Sequence, residues 1–168
     1  MRAARSLVLA LAVSIPSWAG AAAVDPADAW RPMHPFMGTW KGTRQGSDGT
    51  IKVTRVFATA PTNRHLEITE SDGGRSRTAV WGIVSLDRER GLLVLRQFGA
   101  DGLASDLTLV PAASSGEQLV FATPESEAAR VRITYERADA KTLIERIEQS
   151  ASGAPLALVS EMRFVRSN

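Results

Sequence analysis

The amino-acid sequence predicts an all-β fold, an antiparallel up-and-down (meander) β-barrel of about ten strands with a short N-terminal helical segment. Three observations carry this expectation. Short stretches of alternating apolar and polar residues run from Phe36 towards the C-terminus. Turn-forming residues separate them at nearly even spacing, and no interval is long enough for a crossover helix. A long meander with one apolar face buries that face, and loses its exposed edges, by curling and closing on itself.

Taken in order, Asp25-Pro26-Ala27-Asp28-Ala29-Trp30 reads as one or two helical turns. Asp25 suits the N-cap and Pro26 the first helical position, where a missing N–H costs nothing. Pro32 and Pro35 keep the helix short, so the segment is expected to be a lid or plug leading into the first strand. Strands are expected near 36–44, 50–58, 64–72, 75–86, 91–99, 103–110, 118–123, 129–137, 141–149 and 156–166. Between them, Asp48-Gly49, Asp72-Gly73-Gly74, Asp101-Gly102, Ser115-Gly116 and Ser152-Gly153 supply residues that tolerate positive φ. Pro61, Pro111 and Pro155 fall between strands or at their edges. The alternation places Ile51, Val53 and Phe57 on one face, as it does Val80, Val84 and Leu86. It groups Val94 with Phe98, Val131 with Ile133 and Tyr135, and Leu156 with Leu158, Met162 and Phe164.

Residues 1–23 have the three parts of a secretory signal peptide: Arg2 and Arg5, the apolar run Leu7–Val13, and small-residue cleavage sites ending at Ala19, Ala21 or Ala23. The apolar run is too short for a membrane span, which needs about 20 residues. The expectation is therefore export to the periplasm or beyond, with 24–168 as a single domain. Of the 20 basic residues, Arg2 and Arg5 leave with the signal, so the mature chain has 18 basic and 18 acidic residues. The basic pI near 9.5 belongs to the leader, and no basic stripe remains to suggest nucleic acid or an anionic membrane. With no cysteine, neither a disulfide nor a cysteine-linked lipid anchor can form. About 145 mature residues are enough to bury roughly 68–70% of the unfolded surface in one core. An integral outer-membrane barrel shares the dyad period, but aromatics are only 6% of the chain and the polar faces carry Lys, Arg and Glu.

At Met33-His34-Pro35-Phe36-Met37-Gly38-Thr39-Trp40-Lys41-Gly42 the chain resembles a known superfamily. Gly38-x-Trp40 at the opening of the first strand is similar to the signature of the lipocalins and fatty-acid-binding proteins, the calycins. The longer string Gly38-Thr39-Trp40-Lys41-Gly42 looks more like bacterial lipocalin-like barrels and the nitrobindin-type ten-stranded barrels. The segment from Tyr135-Glu136-Arg137 to Met162-Arg163-Phe164 is similar to the ends of uncharacterised bacterial lipocalin-like domains, so the resemblance spans His34 to Arg166. It implies that Gly38 and Trp40 are structural, with Trp40 plugging the closed end under an arginine, either Arg163 or Arg166. The further lipocalin motifs and C-terminal helix are not visible. Haem ligation by a late histidine is unsupported, because His34 and His65 are the two histidines and both lie early.

The residues offer little footing for catalysis. There is no cysteine nucleophile, no G-x-S-x-G elbow, and no phosphate-cradling glycine motif. His65-Leu66-Glu67 is the one local metal-like pair, and it reads as a solvated strand face; no metal or other cofactor is expected. More informative are polar residues within apolar faces. Arg55 lies between Val53 and Phe57, Arg96 between Val94 and Phe98, and Tyr135 continues the face of Val131 and Ile133. If these faces line the interior, Arg55, Arg96 and Tyr135 supply two cations and a phenol to an apolar cavity, as an amphiphile would require. The alternative for each arginine is a rim position, with the head group snorkelling to water or paired with an acid. The resemblance implies an Arg-x-Tyr head-group site on the last strand, which here reads Arg163-x-Val165. The expected function is an exported, noncatalytic barrel that binds a small apolar or amphipathic ligand. The alternative is a structural or interaction module of the cell envelope with a packed interior and no ligand. An isomerase or hydrolase on this scaffold ranks below both, since fold does not fix function.

Overall fold

The computed structural model describes residues 26–46, 49–61, 64–73, 78–99, 102–151 and 154–167. The expected signal peptide, the Asp25 cap and the turn residues Asp48, Gly74, Asp101, Ser152 and Gly153 lie outside the described residues.

A short helix, α1 (Pro26–Trp30), passes directly into a 3-10 helix at Arg31–Phe36. Ten strands follow: β1 (Gly38–Gly46), β2 (Gly49–Thr59), β3 (Leu66–Asp72), β4 (Thr78–Asp87) and β5 (Leu92–Gly99), then β6 (Ala104–Leu109), β7 (Gln118–Ala122), β8 (Arg130–Arg137), β9 (Thr142–Ser150) and β10 (Ala157–Arg166). They close into a barrel in sequence order, every neighbour antiparallel, with β1 sealed against β10. The expected meander barrel is the architecture found. Its first strand begins two residues later than expected because Phe36 completes the 3-10 helix. Pro32 and Pro35 end the α-helix but not the helical turn: Pro32 falls in the first turn of the 3-10 segment, where an N–H would have no partner, and only Pro35 lies within it.

One end of the barrel is closed. Met33 and Phe36 are fully buried beside Trp40, and Trp30 and Met37 pack against the same cluster. The inward faces of the strands complete the core with Val53, Phe57, Leu95, Leu107, Leu119 and Phe164 among others. At the other end, the inward-facing Ile51, Val131 and Ile147 stay partly exposed.

Two features of the strand pairing shape the wall. A register shift between Leu158 and Ser160 on β10 turns Leu158 outward, where it is 57% exposed, while Met162 and Phe164 remain buried. The expected single face of Leu156, Leu158, Met162 and Phe164 is therefore corrected: the bulge splits it. The seam between β6 and β7 is short, pairing Thr108 with Ala122 and Leu109 with Phe121. It stops where Pro124 would next face Asp106 and has no N–H to give.

Glycines matter at two points of β1. Gly38 opens the strand at φ 114°, a conformation L side chains avoid. At Gly42, a Cβ would lie 2.6 Å from the Arg163 carbonyl oxygen and 2.9 Å from the Phe164 ring, so a side chain there would force β1 away from β10. Gly42→Ala is expected to lower stability by about 1–3 kcal/mol, read as a lower urea midpoint at unchanged slope.

Candidate functional site

The interior holds a cluster of charges that begins at the closed end of the core. Arg55 on β2 faces Glu70 on β3 as a direct cross-strand pair, and Nη2 of Arg55 bonds Oε2 of Glu70. Nη1 crosses the lumen to Oε1 of Glu145 on β9, which lies beside Tyr135 of β8 in the sheet register. All three charged side chains are at most 3% exposed. The Arg55 guanidinium lies 5.0 Å from the Phe164 ring centre and 5.6 Å from that of Tyr135, and Tyr135 meets Phe57 edge to face at 5.3 Å. Towards the open end, Arg44 extends the network, donating to Glu70 at 3.0 Å and to both Asp72 oxygens at 2.8 and 3.0 Å.

Electrostatics follow from this packing. Burial alone would lower the pKa of Arg55, but Glu145, Tyr135 and Glu70 together lift it above its ordinary range, so the cation is permanent. Burial raises the Tyr135 phenol well above its usual value; Glu145 and Glu70 push the same way and Arg55 opposes them. Nε of Arg55 and Oε2 of Glu145 are buried without a hydrogen-bond partner. A void of about 10 Å3, bordered by Arg55, Tyr135, Gly82 and Leu95, leaves room for roughly one water molecule. Among the described residues no group of three or more His, Cys, Asp or Glu side chains is arranged to hold a metal ion.

Arg55 and Tyr135 thus lie inside, close together, with the guanidinium engaged by two glutamates. Arg96 does not join them. It is 59% exposed on the outer face of β5, where its Nε donates to Asp106 at 2.7 Å, while Leu93 and Leu95 face the core. The expectation of an inward Arg96 is corrected. Leu92 to Leu95 are all apolar, so the phase of the alternation was ambiguous, and Phe98 stacks on Trp81 (centroids 5.2 Å apart) rather than lining the interior.

Trp40 is fully buried; its indole N–H donates to the Phe36 carbonyl at 2.8 Å. The arginine over it is Arg166, 4.7 Å from the ring, which also bonds the carbonyls of Pro35 and Met37. Arg163 is exposed on the opposite face of β10, so its expected structural role is corrected in favour of Arg166. His65 and Glu67 sit 3.7 Å apart on the outer surface, both partly exposed.

Sequence reasoning missed Glu70, Glu145, Arg44 and Asp72. The signal that selected Arg55 was present for two of them: Glu70 follows Leu66 and Ile68 on one face, and Glu145 lies between Leu143 and Ile147. Comparison with known protein families and with curated proteins returns no match. The closed ten-strand antiparallel barrel is compatible with a calycin-like architecture.

Removing one partner from a buried ion pair strands the other. Arg55→Leu is expected to cost about 3–5 kcal/mol in denaturant unfolding, and adding Glu145→Leu should recover part of that loss. The phenol gives a second test, because Tyr135 is the sole tyrosine. Above pH about 10 the unfolded chain loses its tyrosine proton while the folded chain keeps it, so stability falls as pH rises from there. Tyrosinate absorbance should appear only with unfolding; ionisation near pH 10 in the folded protein would refute the buried site.

Proposed function

We propose that this protein is an exported, noncatalytic barrel that binds a small apolar or amphipathic ligand at its open end. The single observation that carries this reading is the asymmetry of the barrel. Met33, Phe36 and Trp40 plug one end, whereas at the other Ile51, Val131 and Ile147 leave apolar surface partly exposed near the half-exposed pair of Arg44 and Asp72. Apolar walls with a few polar groups are what such a ligand requires. Arg55 takes no direct part: its guanidinium is held by Glu70 and Glu145, and its role is to brace the floor on which a ligand would rest. Export rests on the signal-like residues 1–23 and places the protein in the periplasm or outside the cell.

A second reading, a structural or interaction module with no ligand, is favoured by the ion network across the lumen and the void of only about 10 Å3 beside it. Native mass spectrometry of protein purified from its own host separates the two. The first reading expects a retained small molecule that Ile147→Arg abolishes while the barrel stays folded, read from an unchanged circular dichroism spectrum. Repeated absence of any bound mass would leave the module reading standing.

A further inference from the structure

We infer that the outside of the barrel carries a separate site for a small anionic amphiphile, in a groove over β7, β8 and β9 bordered by the start of β10. The groove has a volume of about 800 Å3, within the usual range of roughly 300–1,000 Å3 for small-molecule sites.

Its floor is apolar in a place where a barrel wall should be polar. On β7 the inward residues are Leu119 and Phe121, yet the outward Val120 between them is only 3% exposed. On β8 the outward Thr134 is also buried, between the inward Ile133 and Tyr135, and sets one hydroxyl in this otherwise apolar floor. Ala122 continues this floor, and the β10 bulge turns Leu158 out to form one side of the groove with Leu156. Bulges commonly re-aim a side chain next to a site, and here the bulge moves a leucine from the core-facing row to the groove.

The rim is basic. Arg90, Arg130, Arg132 and Arg146 line the groove against Glu125 and Glu148. Their charges are not equally available. Arg132 lies 3.6 Å from Glu148, Arg146 is held by Glu136 and Glu161, and Arg90 is 4.0 Å from Asp87. Arg130 donates instead to two neutral acceptors, the Ser150 hydroxyl at 3.2 Å and the Ala154 carbonyl at 2.6 Å; among the described residues it has no carboxylate in ion-pair range. Its guanidinium is held in place while its charge remains uncancelled. An apolar floor beside one oriented, unneutralised cation matches a ligand with an apolar tail and an anionic head. The groove borders the open end at Val131, which lines it from β8, but the other two open-end side chains, Ile51 and Ile147, face inward and do not line it.

The test is an NMR titration of the isotopically labelled full chain with sodium laurate below its critical micelle concentration, with dodecyltrimethylammonium and dodecyl maltoside as controls. Saturable shifts are expected at the amides of Ala122, Arg130, Thr134 and Leu158 with laurate and not with the cationic control. Arg130→Gln should weaken laurate binding roughly tenfold, the scale of one charge-assisted hydrogen bond. Leu158→Asp, at an exposed position that leaves the core intact, should weaken it comparably. Equal binding of the cationic or neutral detergent overturns the inference, as does laurate affinity unchanged in both variants. Shifts confined to Ile51 and Ile147 overturn it too, while upholding the open-end reading.

Discussion

Burial of a single guanidinium between two carboxylates organises this barrel. Arg55 reaches sideways to Glu70 on the neighbouring strand and across the lumen to Glu145, so one side chain ties β2, β3 and β9 at once. A charge so far from water is tolerated only when its partners come with it. The rings of Phe164 and Tyr135 flank it, and Arg44 brings Glu70 a second cation and continues the network to Asp72. The interior therefore has a polar middle between an apolar plug and a half-open mouth. A barrel filled by leucines alone would bury as much surface but would fix the relative position of facing walls less sharply. Directional bonds across the lumen supply that constraint.

Much of this was legible from the sequence, and the parts that were not fail for identifiable reasons. Strand positions followed from turn chemistry, because glycine or proline marks most reversals of the meander. The β8–β9 turn, Ala138 to Lys141, has neither, and there Asp139 accepts from the Lys141 N–H. The inward faces of β2, β4 and β8 followed from period-two alternation. On β5 the same rule failed, because apolar residues occupy both parities from Leu92 to Leu95 and only the fold decides which row faces inward. On β10 it failed because a bulge shifts the parity in mid-strand, a feature without a sequence signature here. Arg55 was legible as a polar residue in an apolar row. What it binds was not, since Glu70 and Glu145 are brought to it by pairing and closure at sequence separations of 15 and 90.

The two proposed ligand surfaces differ in origin. The open end is the ordinary consequence of plugging a barrel at one end only. The outer groove arises where β7 is covered on both faces and β10 steps out of register. In both, apolar surface comes from strand positions, while charge comes from arginines whose partners decide how much of it is free. Arg96 and Arg130 illustrate the contrast: one is neutralised by a forked bond to Asp106, the other is oriented by neutral oxygens.

The contact of Trp40 with Arg166 has a consequence for how the molecule comes into being. Arg166 reaches the Met37 carbonyl from 129 positions further along the chain, and β1 finds its second neighbour only in the last strand. A chain made from its N-terminus therefore accumulates strands in order while its first edge stays bare. No partial product, however long, can close the ring. Closure is a single late event, and before it the nascent sheet offers two sticky borders to any other strand nearby. The ten residues of β10 are thus the latch of the whole assembly, and a chain cut short before them would resemble an unrolled sheet more than a smaller barrel.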